Sequence, residues 1–162
     1  MADALEPEQL ETYFALMESV SMLHHAVEQQ VREAGQLSYV QFQLLARLAT
    51  APTRQLTMTE LADGVVYSRS GLTHQAGLLE KAGLIAREPS PDDQRATLVA
   101  ITEAGLTRVS AILPGHIDVV QGQLFSPLSK QDQVALGELM TKVRDHMREQ
   151  PPRSVSTRKR GS

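Results

Sequence analysis

The chain has 162 residues, enough for one core of ordinary size but not for two independent domains, and it carries a formal net charge of −3 at pH 7. It has no cysteine, which excludes a disulfide framework and a thiol redox switch and makes a reducing cytoplasm the default compartment. No basic-then-apolar leader opens it, and no apolar run approaches the roughly 18 residues of a membrane span, so a soluble, unprocessed protein with no membrane partner is expected.

In chain order, Leu10 to about Glu33 reads as a long helix, with Leu10, Tyr13, Phe14, Met17, Val20, His24, Val27 and Val31 at three- and four-residue steps. Gly35 ends it. Ser38 with Gln41 forms a capping box, and Leu37 with Phe42 a hydrophobic staple, for a second helix to about Ala49. After Pro52, the segment Arg54-Gln55-Leu56 offers a short strand. Thr57 with Glu60 is another capping box, and a short helix follows to about Asp63, where Gly64 turns the chain.

Ser68 then caps a helix that stops at Gly83 and places Leu72, Ala76 and Leu79 on one face. The opposite side carries Arg69, Ser70, Thr73, His74 and Gln75, a set rich in short donors and acceptors that suits base edges and phosphates. Leu84 to Arg87 and Ala96 to Ile101 read as the strands of a hairpin around the polar loop Glu88 to Arg95. A further helix starts at Thr102, and Pro114-Gly115 predicts a kink or break in its middle. Ser129 with Asp132 caps a last helix that ends before Pro151-Pro152, and residues 149–162 form a polar, basic tail expected to be disordered.

Helix, turn, helix, hairpin is the layout of a winged helix-turn-helix, and four motifs make the resemblance specific. Ser68-Arg69-Ser70, Leu79-Glu80-Lys81-Ala82-Gly83-Leu84, the loop Asp92-Asp93-Gln94-Arg95 and Ile101-Thr102-Glu103-Ala104-Gly105 together resemble the MarR family of bacterial transcriptional regulators. The likeness runs from about Leu10 to about Met147. It implies a mainly α fold with a small β-hairpin, as a single domain over 1–162. Residues 37–102 would be the winged helix-turn-helix, and 10–36 with 103–148 the dimerisation helices. The apolar faces of the first and last helices exceed what the small winged domain can cover, which independently calls for a second copy. A homodimer would set two recognition helices about one duplex turn, roughly 34 Å, apart on a pseudo-palindromic double-stranded DNA site.

On this reading Ser68, Arg69, Ser70, Thr73, His74 and Gln75 face the major groove. Arg95 at the wing tip enters the minor groove, with Asp93 orienting it and Arg87 as a secondary phosphate contact. Two residues depart from the family pattern: His74 stands where Arg is frequent, and Gly77 interrupts the recognition helix. The resemblance also implies a small aromatic or amphipathic ligand between the dimer helices and the winged domain. Tyr13, Phe14, Met17, Met22, His25, Tyr39, Phe42, Arg47 and Tyr67 are placed to contribute, and Arg47 or His25 would pair with a carboxylate. The chain has no tryptophan, which sets it apart from the urate-responsive members.

No cofactor, metal or catalytic constellation is expected. Adjacent histidines such as His24 and His25 point about 100° apart on a helix and do not readily share an ion. Two alternatives to a ligand-released repressor remain: a DNA-binding regulator without an effector, and a helical metal-binding protein using His24, His25, His116 and His146.

Overall fold

The structure is a computed structural model and describes residues 4–65, 69–93 and 95–149, Arg69 by its backbone alone. In chain order it runs α1 (Pro7–Gly35), α2 (Tyr39–Thr50), β1 (Gln55–Thr57), α3 (Met58–Gly64), α4 (Arg69–Lys81), β2 (Ile85–Pro89), β3 (Thr97–Ile101), α5 (Glu103–Val120), a π-helical turn (Gln121–Phe125) and α6 (Lys130–Glu149). The chain divides into two compact units, Met1–Gln123 and Leu124–Ser162. The basic tail, Ser68 and Tyr67 lie outside the described residues.

Local chemistry fixes most of the boundaries. α1 begins three residues before its apolar stripe because Pro7 suits the first helical position and Gln9 Oε1 accepts from the Glu6 N–H at 3.0 Å. Both predicted capping boxes form: Ser38 with Gln41 on α2, and Thr57 with Glu60 on α3. Gly83 takes a left-handed φ of 72°. There the Gly83 N–H reaches the Glu80 carbonyl and the Leu84 N–H the Leu79 carbonyl, a Schellman stop that ends α4 and points the chain into β2.

The sheet order is β1-β3-β2, all antiparallel, with Leu56 opposite Val99 and Ala86 opposite Ala100. The predicted hairpin therefore gains the predicted third strand. One core binds this unit: Val31 of α1, Leu44, Leu45 and Leu48 of α2, Leu61 of α3, Leu72 and Leu79 of α4, Val99 of β3 and Ile112 of α5 are all essentially inaccessible.

Of the kink or break expected at Pro114, the break does not occur: α5 continues as one helix from Glu103 to Val120. The proline lacks the N–H that would reach the Ser110 carbonyl, but Ser110 is on the exposed side, where water can satisfy it. The buried side, meanwhile, is held to α1. Arg108 Nη1 donates to the Gly35 carbonyl at 2.6 Å, and Gln30 Nε2 to the Ile112 carbonyl at 3.2 Å. In the second unit, Ser129 and Asp132 cap α6 reciprocally, with the Ser129 N–H to Asp132 Oδ2 at 3.0 Å and the Asp132 N–H to Ser129 Oγ at 3.2 Å.

Candidate nucleic-acid interface

α3 and α4 form the helix-turn-helix pair, and burial sorts the residues of α4 by face. Leu72, Ala76 and Leu79 are each about 1% exposed and hold the helix to the core, while Ser70, Thr73 and His74 stand in solvent. Gln75 is half-buried at the border and accepts a hydrogen bond from Gln41 Nε2 of α2 at 3.0 Å. Arg69 opens the helix, and its side chain lies outside the described residues. A 130 Å³ hollow lined by Met58, Thr59, Ala62, Leu72 and Thr73 separates α3 from α4 on this side.

Hydrogen bonds from both strands seat the wing on the end of α4. Thr102, which caps α5 through the Gly105 N–H, also donates its hydroxyl to the Gly83 carbonyl at 2.7 Å, and its N–H reaches the Leu84 carbonyl at 3.1 Å. On the other strand, Arg87 Nε donates to Glu80 Oε2 at 3.0 Å, alongside a shorter bond of 2.6 Å from Nη2. The bonds from Arg87 hold the Glu80 carboxyl below its ordinary value, against the smaller opposing effect of burial. The guanidinium of Arg87 is thus spent on joining β2 to the recognition helix. A phosphate contact from it would compete with Glu80, a partner that sequence spacing across a turn does not reveal.

At the wing tip the Ser90 N–H donates to the Ala96 carbonyl at 2.8 Å and the Ala96 N–H to the Asp93 carbonyl at 2.9 Å. Asp93 Oδ1 accepts from the backbone N–H of Arg95 at 2.9 Å. Asp93 therefore orients Arg95 by shaping the turn and not, as its sequence suggests, by gripping the guanidinium. Arg95 itself is exposed, and among the described residues no ion pair holds its side chain.

The residues proposed for a ligand separate into three groups. Tyr39 and Phe42 come together around His116 of α5, with ring centroids 6.0 and 4.9 Å from it, and His24 meets Tyr39 edge-on at 5.5 Å. His116 Nδ1 and the nearby helix-facing Gln30 Oε1 are buried without a hydrogen-bond partner, and burial lowers the His116 pKa. Tyr13, Phe14, Met17, Met22 and His25 stand exposed along α1. Arg47 belongs to neither group: its Nη1 donates to the Gly64 carbonyl at 3.3 Å and its guanidinium lies where a Gly64 side chain would be, so it caps the end of α3. Among the described residues no group of three or more His, Cys, Asp or Glu could hold a metal ion, and no helix is long and apolar enough to cross a membrane.

Sequence reasoning missed Gln41 and Glu28 as members of this neighbourhood. Glu28 of α1 accepts the Tyr39 N–H at 2.7 Å, in the first turn of α2. The only signal available was the Ser38–Gln41 capping box, which marks the turn but not what packs on it.

Comparison with known proteins agrees with this geometry. The MarR family model matches residues 36–96. An uncharacterised HTH-type transcriptional regulator of Bacillus cereus is 31% identical over 110 residues, covering 68% of this chain and 71% of that protein. The transcriptional repressor YetL of Bacillus subtilis is 27% identical over 111 residues, 68% of this chain and 66% of its own. Among solved structures, Sco3205 of Streptomyces coelicolor, a MarR family transcriptional regulator in complex with DNA, superposes with a TM-score of 0.87 at 32% identity, covering 93% of each chain.

Proposed function

Because the chain belongs to the MarR family of DNA-binding transcriptional regulators, we propose that it acts as a homodimeric repressor on a pseudo-palindromic duplex site and leaves that site when a small aromatic or amphipathic ligand binds. The observation that carries the DNA contact is the pairing of two exposed features on one compact unit: the polar face of α4 at Ser70, Thr73 and His74, and Arg95 at the wing tip. The first suits base edges and phosphates in the major groove, the second the negative potential of a narrow minor groove. Arg69 joins them by its position on the first turn of α4, and a relative solved in complex with DNA supports DNA as the partner.

Dimerisation rests on the exposed apolar side chains of α1, among them Leu10, Phe14, Met17 and Val20. Repression is the activity named for YetL. Ligand release rests on the Tyr39, Phe42 and His116 ring cluster with its unpartnered buried polar atoms, since those offer both stacking and hydrogen bonds to a planar acid. A ligand can shift the equilibrium only by its differential affinity for the two forms, about 1–3 kcal/mol in typical cases.

The test is a selection of bound duplexes from a random pool with the purified protein and with Arg95→Ala. A two-fold-related motif, bound at least about tenfold more weakly by the variant, supports the regulator and its wing. The recovered operator then drives a reporter, where repression that aromatic acids relieve supports the full reading. Equal binding by Arg95→Ala removes the wing assignment, and activation of the reporter reverses the direction of regulation.

A further inference from the structure

The amide of Gln75 on the recognition helix is held in one orientation, and the residue that holds it sits on α2. Ser38 donates its backbone N–H to Gln41 Oε1 at 3.1 Å. A backbone N–H can only donate, so the atom of Gln41 that meets it is the carbonyl oxygen, and the NH2 is left to face the other way. That NH2 donates to Gln75 Oε1 at 3.0 Å. Donor direction therefore runs from the cap of α2 to α4, turning the Gln75 oxygen into the seam between the helices and its own NH2 away from it.

Position 41 is not free to rearrange. Its N–H is bound by Ser38 Oγ at 3.2 Å, closing the capping box. The neighbouring Tyr39 N–H is bound by Glu28 Oε2 of α1 at 2.7 Å, and Arg32 Nη2 steadies that carboxylate through Oε1 at 2.9 Å. The first turn of α2 is thus pinned on one side to α1 and on the other grips the recognition helix. Rotating the Gln75 amide by half a turn would set two NH2 groups against each other.

On the DNA-binding reading above, we propose that Gln41 is a specificity-determining positioning residue: by fixing the Gln75 amide it makes position 75 a donor toward DNA, selecting a base that presents an acceptor in the major groove. Guanine, through O6 and N7, and thymine, through O4, present acceptors in the major groove with no amino donor of the same base on that edge. The two-sided pairing of a glutamine with adenine, which needs its oxygen and its NH2 together, is closed to a Gln75 whose oxygen faces α2.

Gln41→Glu tests this without removing the cap, because a glutamate serves a capping box as well as a glutamine does. One carboxylate oxygen keeps the Ser38 N–H, and the other now faces Gln75 as an acceptor. The Gln75 amide must turn over, presenting its oxygen to DNA. Duplex selection with wild type, Gln41→Glu and Gln75→Met is the experiment, with thermal unfolding midpoints measured alongside.

The expected result is one position in each half-site where Gln75→Met loses preference and Gln41→Glu shifts it to adenine or cytosine, the bases whose amino donors lie in the major groove. All three proteins should unfold within about two degrees of one another. An unchanged motif in either variant overturns the proposal while leaving the regulator intact. So does a uniform fall in affinity with the motif preserved, which would put Gln75 on a phosphate. Absence of any wild-type motif overturns the DNA-binding reading and the proposal with it.

Discussion

Two glycines, Gly105 on α5 and Gly77 on α4, do opposite things, and substituting alanine at each separates them. Gly105 starts α5 so close to the end of α4 that a side chain there would strike the Leu84 carbonyl oxygen and lie 2.7 Å from Ile101 Cγ1. That contact explains the glycine of the Thr102-Glu103-Ala104-Gly105 motif, legible in the sequence only as a resemblance. Gly105→Ala should cost about 1–3 kcal/mol, as overpacking of a dense interior does, read as a lower urea midpoint at unchanged slope. Gly77 sits mid-helix on α4, and its nearest neighbour for an added Cβ is Arg87 Nη2 at 3.8 Å, an ordinary contact. Nothing inside the protein requires it. Gly77→Ala should therefore stabilise by about 0.8–1 kcal/mol, the helix-propensity difference. If the same variant binds its operator more weakly while unfolding later, the reason for the glycine lies in the approach to DNA.

At the scale of elements, caps and stops were readable from sequence because their partners are three or four residues apart: Ser38 with Gln41, Thr57 with Glu60, Ser129 with Asp132, and the Gly83 stop. What was not readable joins one element to another. Glu80 meets Arg87 across the turn, the Gly64 carbonyl accepts from Arg47, and α1 holds the buried side of α5 around Pro114, contacts that no local spacing announces.

Glu28 belongs to the same class and gives a pH test. Burial alone would raise its carboxyl, but the Tyr39 N–H, the Arg32 bond and the charges of Arg32 and His24 together bring it below its ordinary value. A folded pKa lower than the unfolded one contributes stability that is present above the unfolded value, about 4.3, and is lost as pH falls through the folded value. Glu28→Gln should be less stable than wild type by about 1 kcal/mol at pH 7, the usual worth of an anion at a helix N-terminus. The gap should close below about pH 4. A gap of equal size at pH 7 and pH 3 would show that Glu28 acts by shape and not by charge.

For the whole molecule the net charge of −3 sets the terms of association. A protein repelled on average by DNA binds through a few local cations, so binding should depend strongly on salt, with a slope traceable to named residues. With one Arg95 in each protomer of a dimer, Arg95→Ala should flatten the plot of log affinity against log salt by about 2, near 0.9 for each phosphate charge no longer matched.

That count depends on there being two copies, and α1 supplies the argument for them. Its buried residues, Val27, Val31 and Gly35, all lie toward its C-terminal end, while Leu10, Phe14, Met17 and Val20 nearer the start are 42–58% exposed. An unsupported helix of about 12–15 residues is marginal in water, so an apolar segment of this kind holds its shape only against a partner. Phe14→Glu should accordingly yield a monomer by sedimentation, with reduced helical circular dichroism as the start of α1 frays and the core around Leu44 and Leu48 intact. Its binding to a full operator should fall to the level of a half-site, and the Arg95→Ala change in salt slope should halve to about 1. A Phe14→Glu protein that remains dimeric with full affinity would mean that the exposed face of α1 is not what joins the copies.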